Sequence, residues 1–131
     1  MRQQYHFRKI PTPGNVTNTF IWDVNKLIVQ SNKLPTVHVN LSEITELDRC
    51  YWYESNESIP TCRNIVEHMQ LVNEADLNYP ILLCQNGKVI DGMHRVCKAL
   101  MSGHTTIKAK QFTNNIPPDY INVDPNALPY D

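Results

Sequence analysis

No stretch of this 131-residue chain approaches the ~20 consecutive apolar residues of a membrane-spanning helix, and its N-terminus has no apolar signal core. Together these absences predict a soluble, cytoplasmic protein with no membrane partner. A dominant charge is missing too. Twelve Lys and Arg against 13 Asp and Glu give a formal net charge of −1, which excludes the global basic field of a dedicated DNA-binding protein. Cysteines at metal-ligand spacing are also lacking: Cys50, Cys62, Cys84 and Cys97 form no CxxC or CxxH pair. Cys62, Cys84 and Cys97 fall inside apolar patterns, where free cysteine behaves as a small core residue. Zinc and disulfides are disfavoured accordingly, and no metal ligand set is expected. There is no internal repeat, and the length suits one domain.

What is present is unevenly placed. Residues 41–79 carry eight acidic and two basic side chains, whereas 88–110 carry five basic ones (Lys88, Arg95, Lys98, Lys108 and Lys110) and only Asp91 on the acidic side. Residues 1–18, with Pro11, Pro13 and Gly14, read as a flexible or draped arm. A helix capped by Asp23 follows through Leu27, Ile28 and Gln30, ended by Pro35, and residues 36–40 alternate as a strand. Residues 41–47 suit a short helical turn, and 48–60 form an acidic loop containing Tyr51, Trp52 and Tyr53.

Thr61 is placed to cap the main helix. Cys62, Ile65, Val66, Met69 and Val72 recur on it at helical spacing and predict its buried face. Two short apolar strands then flank Asn86-Gly87, the signature of a type I′ hairpin turn with positive φ at both central residues. A helix from Gly92 to Ser102 buries Met93, Val96, Cys97 and Leu100 and stops at Gly103. Residues 105–112 alternate as a last strand, and the tail from Thr113, with Pro117, Pro118, Pro125 and Pro129, is too proline-rich for regular structure. The order predicts an α+β fold with a small mixed sheet and packed helices.

The most informative segment is Asp91-Gly92-Met93-His94-Arg95, where a hairpin ends and a helix begins. Free backbone N–H groups at a helix start, the helix dipole and the side chains of His94 and Arg95 converge there on a phosphate-sized anion. A cation in a first helical turn is disfavoured by the dipole, so Arg95 makes better sense with an anion bound; its other role is to pair with nearby acids. His94 is placed to donate to phosphate or to shuttle protons; its blander role is that of an ordinary half-buried histidine. Asp91 reads first as the helix N-cap, and otherwise as a magnesium ligand or general base.

With the surrounding pattern, the motif resembles the ParB/sulfiredoxin superfamily over about residues 34–112. The matching features are Val37 through Ile44, a helix, Pro80 and the strand after it, Gly92-Met93-His94-Arg95, Ala99, Gly103 and Thr106-Ile107. Sulfiredoxins carry Gly-Cys-His-Arg there, and Met93 replaces the reactive cysteine, so sulfinic acid repair is not expected. ParB partition proteins show Gly-Glu-Arg-Arg, from which Met93 and His94 depart, and no helix-turn-helix region follows residue 112. ADP-dependent serine kinases share the Asp-Gly start. The resemblance implies a nucleotide ligand (ATP, ADP or CTP, with Mg²⁺) or another phosphorylated molecule bound by Gly92, Met93, His94 and Arg95.

It also brings the start of the main helix to the site, so Thr61, Arg63, Asn64 and His68 are further ligand-contact candidates. Asp91, His94 and Glu67 are the candidate catalytic residues for phosphoryl transfer or nucleotide hydrolysis. The blander role for Arg63 and Glu67 is a surface i, i+4 pair. For Tyr51, Trp52 and Tyr53 it is to cover a core edge rather than stack on a base. A nucleic-acid-associated module using the 88–110 basic segment, and a non-catalytic interaction protein, are the alternatives.

Overall fold

The computed structural model describes residues 3–53 and 59–130. Of the loop expected over 48–60, residues 54–58 therefore lie outside the described part. The fold is small, mixed α+β, with three α-helices and two sheets among the described residues.

The larger sheet has four strands in the order β3-β6-β4-β5: β3 (Val37–Asn40), β6 (Thr106–Gln111), β4 (Ile81–Leu83) and β5 (Val89–Asp91). β4 runs parallel to β6 and antiparallel to β5, and β3 runs antiparallel to β6. Alternation sends successive side chains to opposite faces. Ile81, Leu83, Val89, Ile107 and Ala109 form one core with Leu41, Ile44 and the inner face of α3 (Met93–Met101). Leu82, Cys84 and Ile90 form a second core with Trp22 and Leu27. Both faces of the sheet are thus covered.

The second core depends on residues expected to be irregular. Instead of a draped arm, residues 5–23 form a hairpin of β1 (Tyr5–Thr12) and β2 (Val16–Asp23) in continuous antiparallel register. The tail also departs from expectation. Its Tyr120–Ile121 segment, β7, pairs with the free edge of β2, and the Trp22 indole N–H donates to Ile116 O at 2.9 Å. Pro11 is tolerated because β1 is an edge strand, where a missing N–H breaks no ladder on its open side.

Several local readings hold. Asp23 caps α1 (Val24–Gln30), its carboxylate accepting from Lys26 N–H, although this helix passes into a 3-10 turn at Ser31–Lys33, before Pro35. Thr61 caps α2 (Cys62–Glu74) by accepting from Asn64 N–H. α3 closes with His104 N–H on Ala99 O and Gly103 N–H on Leu100 O, the paired bonds of a Schellman stop.

Others need correction. The β4–β5 turn is not type I′, since only Gly87 has positive φ. Cys84 N–H bonds Lys88 O and Gly87 N–H bonds Cys84 O, a three-residue loop ending in a left-handed glycine. Of the apolar stripe expected to be buried on α2, only Val72 is buried: Ile65, Val66 and Met69 are 47%, 55% and 41% exposed, and Cys62 is exposed. Asn64, His68 and Val72, at i, i+4 and i+8, face inward instead. Leu100 is exposed and Cys97 half-buried, so of the cysteines only Cys84 is a buried core residue.

Candidate functional site

Everything at the start of α3 follows from the conformation of Gly92. It is the N-cap residue, at φ 106° and ψ 23°, a region L side chains avoid. A Cβ built there would lie 2.6 Å from Ile81 Cγ2, so both backbone and packing require glycine. This corrects the reading of Asp91 as N-cap: Asp91 ends β5 and its carboxylate points to Arg95.

Gly92 has no side chain with which to cap the helix. The N–H groups of Met93, His94 and Arg95 precede the first intrahelical bond, Val96 N–H to Gly92 O, and no side chain caps them among the described residues. They leave a concentrated donor set at the positive end of the helix dipole.

Arg95 folds back across the corner rather than standing clear of it. Nη2 donates to Asp91 Oδ2 at 3.1 Å and Nη1 to Pro80 O at 2.7 Å. The pairing with a nearby acid, one of its two expected roles, is therefore present.

His94 meets His68 of α2. Their Nε2 and Nδ1 atoms lie 2.9 Å apart, and the rings are inclined by 24°. The Trp52 indole stacks on both, at 4.2 Å from His68 and 4.7 Å from His94 between ring centroids. Tyr53 meets His68 edge-on. Burial, aided by His68 and Arg95, pushes the His94 pKa down to about 4, and burial also lowers that of His68 against the pull of Glu67. Both imidazoles are neutral at pH 7, so one ring donates its N–H to the other's lone pair.

The aromatic loop that supplies Trp52 is anchored from below. Buried Glu46 accepts the Val89 N–H at 2.6 Å, and the Tyr51 hydroxyl donates to Val89 O at 3.3 Å. Between this loop and α3 lies a cavity of about 220 Å³, walled by Glu46, Arg49, Tyr51, Trp52, Met93 and Cys97. Tyr51 and Trp52 also pack on the first core, so they do cover a core edge. Burial raises the Cys97 thiol pKa, which leaves it unsuited as a thiolate nucleophile at neutral pH.

The remaining candidates separate. His68 joins His94 directly. Thr61 is occupied with capping, and Arg63 and Glu67 are exposed, with no ion pair between them among the described residues. Asn64 turns inward, and its Oδ1 is buried without a hydrogen-bond partner among the described residues. No group of three His, Cys, Asp or Glu side chains comes together among the described residues. The resemblance placed His68 at this site, but sequence reasoning did not foresee its bond to His94 or the Trp52 stack on both rings. The signal for the first was the Asn64, His68, Val72 spacing, masked by the stronger apolar stripe beside it. Comparison with known protein families, curated proteins and solved structures returns no match to this chain.

Proposed function

We propose that the protein binds a nucleotide or similar phosphorylated small molecule at the start of α3, in the manner of a ParB/sulfiredoxin-like domain. The observation that carries this reading is the uncapped run of N–H groups at Met93, His94 and Arg95, set beside the Trp52-covered imidazole pair. Backbone donors and dipole suit a phosphate, and an anion beside His94 would raise its pKa and favour the charged, doubly donating ring. The adjacent cavity of about 220 Å³ is below the ~300–1,000 Å³ of drug-sized ligand pockets. It fits one ring system, such as a base, and not a whole nucleotide.

Binding is better supported than turnover. Asp91 is committed to Arg95 and Glu67 is exposed to solvent, so neither carboxylate is positioned as a base. A Mg²⁺ ion would be carried chiefly by phosphate oxygens and water, as Mg²⁺ commonly is. A second reading, a non-catalytic interaction protein, is favoured by the exposed apolar face of α2 at Ile65, Val66 and Met69.

The test is thermal unfolding with ATP, ADP, CTP and pyrophosphate, each with and without Mg²⁺, on wild type and His94→Ala. Ligand at ~100 times its Kd adds about 2.7 kcal/mol, a rise of roughly 5–12 °C. A nucleotide-selective rise that His94→Ala abolishes is expected; no rise with any of the four rejects the proposal in favour of the interaction reading. Arg95→Ala is the poorer variant, because it strips contacts from Asp91 and Pro80 that hold the corner together.

A further inference from the structure

On the opposite face of the four-stranded sheet, the β1–β2 hairpin lays His6, Arg8 and Trp22 against Cys84. A slot of about 40 Å³ opens there, bordered also by Asn86 and Asn115. Arg8 is half-buried in its wall. Its guanidinium meets His6 Nε2 at 3.2 Å and Cys84 Sγ at 3.7 Å, and its central carbon lies 5.5 Å from the Trp22 ring centroid.

Neither ring beside Arg8 supplies a charge at neutral pH. Burial and the adjacent Arg8 push the His6 pKa down to about 4, so the neutral ring accepts from Arg8 at Nε2. No carboxylate among the described residues pairs with Arg8, whereas half-buried Arg95 has Asp91. Taking a cation out of water without an anion is costly. A guanidinium has five N–H donors in a planar fork, and the contacts here occupy two of them, one on a weak sulfur acceptor.

We propose that this slot is a binding site for a carboxylate group, clamped by Arg8 and flanked by Asn86 and Asn115. Planar two-oxygen recognition is what the guanidinium fork does best. The slot accommodates the head group: about 40 Å³ holds roughly three waters, enough for a carboxylate. The Trp22 ring leaves an apolar wall for a short aliphatic body behind the head. This site lies on the other side of the sheet from α3, so it stands whether or not a nucleotide binds there.

The test follows the Trp22 indole N–H and Arg8 Nε–H resonances of the full chain in ¹H–¹⁵N spectra, with Trp52→Phe used to assign the two indoles. Acetate, propionate, N-acetylalanine, N-acetylalanine amide, sulfate and phosphate are titrated at constant ionic strength. The expected result is saturable shifts of both resonances with acetate and propionate at roughly millimolar affinity, as befits so few atoms, with the Trp52 indole unmoved. Binding of N-acetylalanine but not its amide assigns the carboxylate to a chain terminus, and its exclusion assigns it to a free small acid. Arg8→Gln should abolish the shifts and Arg8→Lys should weaken binding about tenfold or more. Shifts absent from wild type, persisting in Arg8→Gln, or as strong with sulfate or phosphate as with acetate, overturn the proposal.

Discussion

At the scale of single residues, the most consequential property of this protein is that its half-buried imidazoles are uncharged. In the folded chain His94 is held near a pKa of about 4, against 6.5 for an ordinary histidine, and His6 is held near about 4 as well. Between those values the unfolded chain binds protons that the folded chain refuses. Stability from these groups is therefore complete above about pH 6.5 and is lost as the pH falls from there toward about 4. Urea unfolding at about pH 7.5 and about pH 5 should show the acid-side loss, and His94→Gln should shrink the difference between the two curves. Equal stability at both pH values would contradict the assigned burial. Only the half-buried reading of His94 was open to sequence reasoning, and not as the preferred one. His6 carried no local signal, and His94 read as a phosphate donor because its neighbours Gly92 and Arg95 form a motif, whereas its partner His68 is 26 positions away.

At the scale of elements, legibility divided along the range of the forces involved. α1, α3 and the cap of α2 were readable because Asp23, Thr61 and Gly103 act within a single turn. Helix α2 was readable as a helix but not as to which side it buries. Its sequence moment points along Ile65, Val66 and Met69, while the surface it meets is set by α3, through His94 on His68 and through Lys98, whose ammonium donates to Asn73 O and Ala75 O at the end of α2. Tertiary contact thus overrode periodicity. The consequence is measurable: Val66→Lys should change stability by less than about 0.5 kcal/mol, whereas Val72→Ala should cost about 2 kcal/mol, both read from urea midpoints. The reverse ranking would make the Ile65, Val66 and Met69 side the packed face. A prolines-mean-loop reading failed at β1 for a related reason. Pro11 is harmless on an outer strand, and strand order is not a local property.

At the scale of the whole molecule, the α+β class and most of the four-stranded sheet were legible, and the three-stranded sheet was not. The expected core over 34–112 omits Trp22 and Leu27 from one side and Ile116 from the other, all of which pack in or against the second core. Removing residues 1–12 should therefore do more than shorten the chain. It exposes one edge of β2 and uncovers the Trp22 side of the sheet, so the truncated protein should lose its cooperative thermal transition and become sensitive to brief proteolysis at the Trp22 region. A sharp transition unchanged from the full chain would show that the hairpin is an appendage.

Pairing of β2 with β7 also sets a clock on synthesis. β1 and β2 leave the ribosome early, but the second neighbour of β2 is made roughly 100 residues later, on the order of five to twenty seconds at ordinary elongation rates. Throughout that interval Phe20 and Ile21 present an unpaired strand edge, a template for pairing with other chains. A nascent chain of this protein thus carries an open, sticky edge through most of its own manufacture.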